Sequence, residues 1–252
     1  SYVIGAKLPP NTAPAALFWD TSRPYYYLRV DHHLLEDYVI FGGNDHKTGQ
    51  AERTSDNFVD LETTLHRFLP TACVDRRWSG QVLESHDGLP LIGQVVQRQF
   101  VATGFSGNGL TFGTLAGMMI RDALMGRKNP WHDLFSPHRL QLRGGIWNYL
   151  SENLDYPYYL LKDRLMPSEN RGVENVNPGQ GTVLKLNGQR VAVYRNEEGQ
   201  TTKLSAVCTH MGCIVHWNEA ESSWDCPCHG ARFDVTGKVI AGPAEKPLQR
   251  VD

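Results

Sequence analysis

Two short boxes near the C-terminus carry most of the chemistry: Cys208-Thr209-His210-Met211-Gly212-Cys213 and Cys226-Pro227-Cys228-His229-Gly230. The first spaces a cysteine and a histidine as C-x-H, the second as C-x-x-H. Two thiolates and two imidazoles drawn from a pair of loops suit a [2Fe–2S] centre whose irons are unlike. On that reading Cys208 and Cys226 ligate one iron, and His210 and His229 the other. Such a centre passes electrons one at a time. Zinc is the competing occupant, because four Cys/His ligands also make a zinc site. Zinc knuckles place their pairs on one tight turn, as C-x-x-C or H-x-x-x-H. C-x-H is shorter than that turn, and each box here mixes the two ligand types. Each box also holds a further cysteine, Cys213 and Cys228.

The elements that must position these boxes fall into three regions, divided at 1–140, 141–180 and 181–252. In the first, Tyr25 to Val30 and Asp37 to Phe41 read as strands joined across Asp31-His32-His33. Leu61 to Phe68 has helical spacing. Gly80 to Leu83 and Leu89 to Gly93 read as strands around the Asp87-Gly88 turn. Phe100 to Thr103 is a short strand that runs through a Gly-rich turn into a helix from about Leu110 to Met125, closed by Gly126. The second region, Gly144 to about Met166, repeats Ile146, Trp147, Leu150, Leu154, Tyr158, Leu161 and Leu165 at helical intervals, with a break expected at Pro157. Pro167 to Gly181 reads as a boundary loop. The third region is β-rich: Thr182 to Leu186, Gln189 to Tyr194 and Lys203 to Ser205 read as strands, with Asn187-Gly188 as a two-residue hairpin turn.

The chain has 252 residues, 40% hydrophobic and 21% charged, and a net charge of −2. This suffices for a packed core and gives no electrostatic case for nucleic acid or an anionic membrane. The uncharged stretch from Phe100 to Ile120 is interrupted by five glycines and reads as strand, turn and helix, not as a transmembrane segment. No charged n-region followed by an apolar h-region opens the chain. Four of the five cysteines lie in the boxes, and Cys73 reads as a small buried hydrophobe. These features favour the cytoplasm.

Both boxes resemble the Rieske ferredoxin pattern, as does the run Phe233-Asp234 … Gly237-Lys238-Val239 … Gly242-Pro243-Ala244. The resemblance implies a [2Fe–2S] cluster on Cys208, His210, Cys226 and His229. It also implies a disulfide between Cys213 and Cys228 joining the ligand loops, and a Gly-Pro-Ala loop over the cluster. High-potential members of the family carry serine and tyrosine where this chain has Ala231 and Phe233, so the resemblance implies a low midpoint potential.

The block from Tyr2 to Leu140 resembles the C-terminal half of glycine/D-amino-acid oxidase-type flavoproteins. The pieces that carry this are Tyr27-Leu28-Arg29, Phe41-Gly42-Gly43, Arg77-Trp78-Ser79-Gly80, Asp87 through Gly93, and Ala102 through Thr111. In that family the last block is a FAD-binding element, which implies flavin contacts at Gly104, Phe105, Gly107, Asn108, Gly109, Leu110 and Thr111. From its residues alone, this turn can also be a plain tight turn before a helix. Arg29, on one strand face with Tyr25 and Tyr27, could grip a substrate carboxylate or pair on the surface. His46 reads as a loop histidine and Trp78 as core. His32, His33, His66, His86, His132, His138 and His216 show no partner in sequence and receive no role.

The family opens with a G-x-G-x-x-G dinucleotide-binding unit that residues 1 to 60 do not supply. The expectation is therefore a piece of a longer protein whose missing N-terminal half is its first partner, and no FAD held by this piece alone. The expected fold is an α+β oxidase-like portion, a mixed sheet plus helices, followed by an all-β Rieske domain. The expected activity of the intact protein is FAD-dependent oxidation of a C–N bond in a small amine or amino acid. Electrons would pass through the cluster to or from an unidentified redox protein. The alternative is a non-catalytic ferredoxin-like carrier with an oxidase-derived docking domain.

Overall fold

The computed structural model describes residues 1–22, 24–51, 53–139, 154–165 and 172–251. Compactness divides the chain differently from sequence order. One unit combines Ser1–Gly80 with Asp155–Asp252, and the other is Gln81–Leu154.

The first unit opens with β1 (Tyr2–Leu8), β2 (Leu17–Trp19), β3 (Tyr27–Asp31), β4 (Asp37–Gly43) and β5 (Cys73–Ser79), in the order β2-β3-β4-β1-β5. Every pairing in this sheet is antiparallel. Central β1 is buried at six of its seven positions, so it does not alternate as a half-exposed strand would. Helix α1 (Ser55–Phe68) turns Phe58, Leu61 and Leu65 onto Ile4, Ala6, Val39 and Phe41. That i, i+3, i+7 stripe is the period that buries one face of a helix.

The same unit continues with α4 (Asp155–Leu165) and the β-rich C-terminal region. There β8 (Gly181–Leu186), β9 (Gln189–Arg195) and β10 (Thr201–Ser205) form a three-stranded sheet in the order β10-β9-β8. Asn187 and Gly188 both have positive φ, 49° and 82°, as the mirror-image hairpin turn between β8 and β9 requires. A four-stranded sheet follows, built from β11 (His216–Asn218), β12 (Ser223–Asp225), β13 (Arg232–Asp234) and β14 (Val239–Ala241). The two sheets enclose Ala192, Leu204, Val215, Trp224 and Phe233, with Cys208, Cys213 and Cys226 in the same core.

A buried polar network ties this region to the first sheet. Arg232 Nε donates to Asp225 at 3.0 Å, and its Nη2 pairs with Glu221. Glu221 accepts the Ser79 backbone N–H at 3.1 Å and its hydroxyl at 2.7 Å. Thr54 donates to Asn218 at 2.8 Å, and Asn218 donates to Asp225 at 2.8 Å. Each buried charge thus has charged and neutral partners, the condition for keeping ions inside a protein.

In the second unit β6 (Leu91–Val96) and β7 (Gln99–Thr103) form a hairpin, followed by α2 (Gly109–Leu124) and the short α3 (His132–Phe135). Ile92, Ala116, Met119 and Phe135 make its core. Arg139 grips Asp87 in a bidentate pair at 2.7 Å and also donates to the carbonyls of Leu89 and Pro90. Gly88, at φ 73°, turns the chain between them.

Several expectations need correction. Residues Gly80 to Leu83 are not a strand. The pairing with β1 is taken by Cys73–Ser79 and ends at Tyr2↔Ser79, and the Leu83 carbonyl instead accepts the Ser106 N–H. Within the described residues Pro157 does not interrupt a helix but sits in the first turn of α4, where its missing N–H costs no bond. The repeat through Ile146, Trp147 and Leu150 lies outside the described residues. Cys73 is exposed at the start of edge strand β5, and Trp78 on the same strand is 39% exposed.

Candidate metal centre

The two boxes fold into loops of one design. In the first, the Cys208 N–H donates to Cys213 O at 2.8 Å and the Gly212 N–H to Cys208 O at 3.0 Å. In the second, the Cys226 N–H donates to Ala231 O at 2.8 Å and the Gly230 N–H to Cys226 O at 3.0 Å. Each loop is therefore closed by one bond to the fifth residue after its first cysteine and one from the fourth. That fourth residue is a glycine at φ 79° or 72°, a conformation other residues adopt at a cost. Within this frame histidine is the third residue of the first loop and the fourth of the second, and the further cysteine is the sixth and the third.

Closure pairs the site residues. Cys213 and Cys228 are joined by a disulfide with their Cα atoms 6.5 Å apart. Cys208 and Cys226 are free and buried. The rings of His210 and His229 lie edge to face with centroids 4.9 Å apart. The Cys226 sulfur is within 4.8 Å of the disulfide sulfurs, but a disulfide offers no thiolate, so that trio is not itself a metal site.

The donor set fits an iron–sulfur centre. The thiol of Cys226 hydrogen-bonds to Cys208, whose pKa falls to about 7, helped by the backbone N–H groups of His210 and Met211. Cys226 is pushed up, first by that same bond with Cys208 and then by burial. Metal ligation requires both thiolates and so releases their protons. His229 Nδ1 is buried with no hydrogen-bond partner. Burial, and then the charge of His210, lowers the His229 pKa, which favours the neutral imidazole that can ligate a metal. An orphaned ring nitrogen beside two buried thiols is costly unless something binds it.

Neighbouring residues without sequence signals support the loops. Tyr156 on α4 lies with its ring centroid 5.2 Å from that of His229. Arg164 on α4 donates to Gly212 O at 2.7 Å. His216 contacts the Gly49 carbonyl at 2.7 Å and Asp163 at 2.9 Å. Thr209 donates to Lys246 O at 2.6 Å, just past the Gly242-Pro243-Ala244 segment whose Ala244 is buried in the core.

The residues expected to touch a flavin form one turn in the second unit. Gly104, Ser106 and Gly107 have positive φ (74°, 48° and 80°), and the Asn108 N–H donates to Phe105 O at 2.8 Å. Asn108 precedes α2 without capping it by its side chain, so Gly109, Leu110 and Thr111 present first-turn N–H groups. Leu110 is 93% exposed. Arg29 donates twice to Asp31 on the exposed surface, the plain ion pair of its two readings. His46 bonds the Tyr2 hydroxyl at 2.9 Å.

Comparison with known proteins follows the same division. The model of the family described as FAD dependent oxidoreductase matches residues 1–123, and that of the Rieske [2Fe-2S] domain matches residues 169–252. A Bacillus subtilis protein named as Rieske 2Fe-2S iron-sulfur protein YhfW is 34% identical over 255 residues, spanning 100% of this chain and 50% of that protein. The chain thus spans about half the length of this relative. The cytochrome b6-f complex iron-sulfur subunit of Chlorobaculum tepidum is 45% identical over 76 residues, 30% of this chain and 41% of that protein. Subunit 1 of that name from Nostoc sp. is 34% identical over 152 residues, 60% of this chain and 75% of that protein. The Rieske domain binds a [2Fe–2S] cluster, and the oxidoreductase match implies FAD in the intact protein. With its two closed loops, their disulfide and the two matched segments, the chain belongs to the Rieske [2Fe–2S] family and carries a FAD-dependent oxidoreductase segment ahead of the Rieske domain.

Proposed function

We propose that Cys208 and Cys226 hold one iron of the cluster and His210 and His229 the other, and that the intact protein couples this centre to FAD-dependent oxidation of a C–N bond in an amine or amino acid. The observation that carries the ligand assignment is the pairing of two free buried thiols and two facing imidazoles on loops cross-linked by Cys213–Cys228. When bound, the cluster supplies one-electron transfer and the flavin supplies hydride acceptance. The chain's own residues exclude water, fix the loops and keep His229 neutral. Gly104, Phe105, Gly107, Asn108, Gly109, Leu110 and Thr111 face the flavin on this reading. The uncapped start of α2 supports it, since first-turn N–H groups suit an anionic or electron-rich group.

The test uses the full-length protein under anaerobic conditions, with a panel of amines and amino acids added to the oxidised form. Bleaching of the flavin absorbance followed by the EPR signal of a reduced cluster is the expected result. A protein that retains no flavin, or whose flavin responds to dithionite but to no amine, would contradict the C–N assignment and favour an electron carrier.

A further inference from the structure

The second ligand loop is held by a segment 177 residues away in sequence. Gln50 Nε2 lies 3.0 Å from Pro227 O and 3.1 Å from Asp155 Oδ2. Both neighbours only accept, so the amide nitrogen gives one hydrogen to each, which also fixes which way the amide points. Lys47 Nζ, at 2.6 Å, balances the Asp155 charge. Beside it, Gly49 at φ 76° lies flat against the loop backbone. A Cβ there would come within 2.7 to 2.9 Å of Pro227 N, Cys226 C and Pro227 Cα. His216 holds the Gly49 carbonyl from the other side.

The peptide that Gln50 grips has two polar ends. Its carbonyl belongs to Pro227 and accepts from Gln50. Its N–H belongs to Cys228, two residues past Cys226 in the same loop. Hydrogen bonds linked through one peptide polarise one another, so a donor at the carbonyl strengthens the bond made by the N–H. A donor to a ligand sulfur stabilises the reduced, more negative centre.

We propose that Gln50 and Gly49 are positioning residues for the iron–sulfur centre: Gln50 orients and polarises the Pro227–Cys228 peptide so that its N–H donates to the Cys226 sulfur, and so raises the midpoint potential. The proposal rests on Cys226 being an iron ligand. A residue of the oxidoreductase segment thereby tunes the cluster of the Rieske domain.

Gln50→Leu and Gln50→Met both remove the donor while keeping the bulk, and Met, being unbranched, is the milder of the two. Each is made in the full chain and compared with the parent by iron content, EPR, thermal melting and protein-film voltammetry. The expected result is an unchanged iron content with a midpoint below the parent's in both variants. Gly49→Ala, which must displace the Cys226–Pro227 peptide, is expected to shift the EPR g-values. A midpoint equal to or above the parent's overturns the proposal, whether or not the melting temperature falls. Loss of the centre from both glutamine variants overturns it too, because weakening one N–H···S bond does not release iron. A parent chain without an iron–sulfur signal would instead defeat the ligand assignment itself.

Discussion

At the scale of single residues the site is set by what surrounds the ligand sulfurs. Backbone N–H groups of His210 and Met211 serve Cys208, and those of Cys228 and His229 serve Cys226. Two positions that hold hydroxyls in high-potential members of the family hold Ala231 and Phe233 here, both fully buried. Hydrogen bonds to charged acceptors contribute roughly 1.5–3 kcal/mol each at most, so two missing donors are expected to lower the potential by on the order of 100–200 mV. Ala231→Ser combined with Phe233→Tyr is therefore expected to raise the midpoint in protein-film voltammetry. An unchanged value would mean that the backbone donors alone set it. Cys208, His210, Cys226 and His229 stand out in sequence as candidate ligands because C-x-H and C-x-x-H restrict what a loop can bind, and the structure brings their loops together. Gly49, Gln50, Tyr156 and His216 were not readable. Each acts across 50 or more residues of sequence on a loop that local patterns do not connect to it.

At the scale of elements the ligand loops and the Asp87 turn are held in different ways. The disulfide closes a separation of 15 residues between loops that each have only two closing backbone bonds. Constraint of a loop of that length contributes roughly 3 kcal/mol. Cys213→Ser with Cys228→Ser should lower the melting temperature and speed loss of iron to a chelator, and a double variant that melts with the parent would contradict this. In the second unit Arg139 and Asp87 are both nearly buried, with side chains 6% and 3% exposed. The arginine holds the Asp87 carboxyl well below the usual carboxylate range, chiefly through their hydrogen bonds. The pair's contribution is therefore complete above about pH 3.9 and is lost only as pH falls through the depressed value. Arg139→Met leaves a buried carboxylate unpaired and should cost about 3–5 kcal/mol in chemical denaturation. A loss below about 1 kcal/mol would mean that the turn holds without the pair. The β8–β9 hairpin was evident in sequence because Asn187-Gly188 encodes its turn. β11 to β14 were not, since three-residue strands are too short to show a period.

At the scale of the whole molecule, the β-rich C-terminal region and the first 80 residues share one compact unit. The Arg232–Glu221–Ser79 and Thr54–Asn218–Asp225 contacts make that union specific. Local sequence patterns do not show this union, because long-range polar pairing leaves no local trace. Among the described residues no helix is long and apolar enough to cross a membrane. The central claim is that two cysteines and two histidines hold one two-iron centre with unlike irons. Mössbauer spectroscopy of the 57Fe-enriched protein tests this most directly. The account predicts about two irons per chain, resolved as two inequivalent sites, with the added electron residing on the histidine-ligated iron after reduction. Equivalent iron sites, or zinc in place of iron at these four residues, would contradict it.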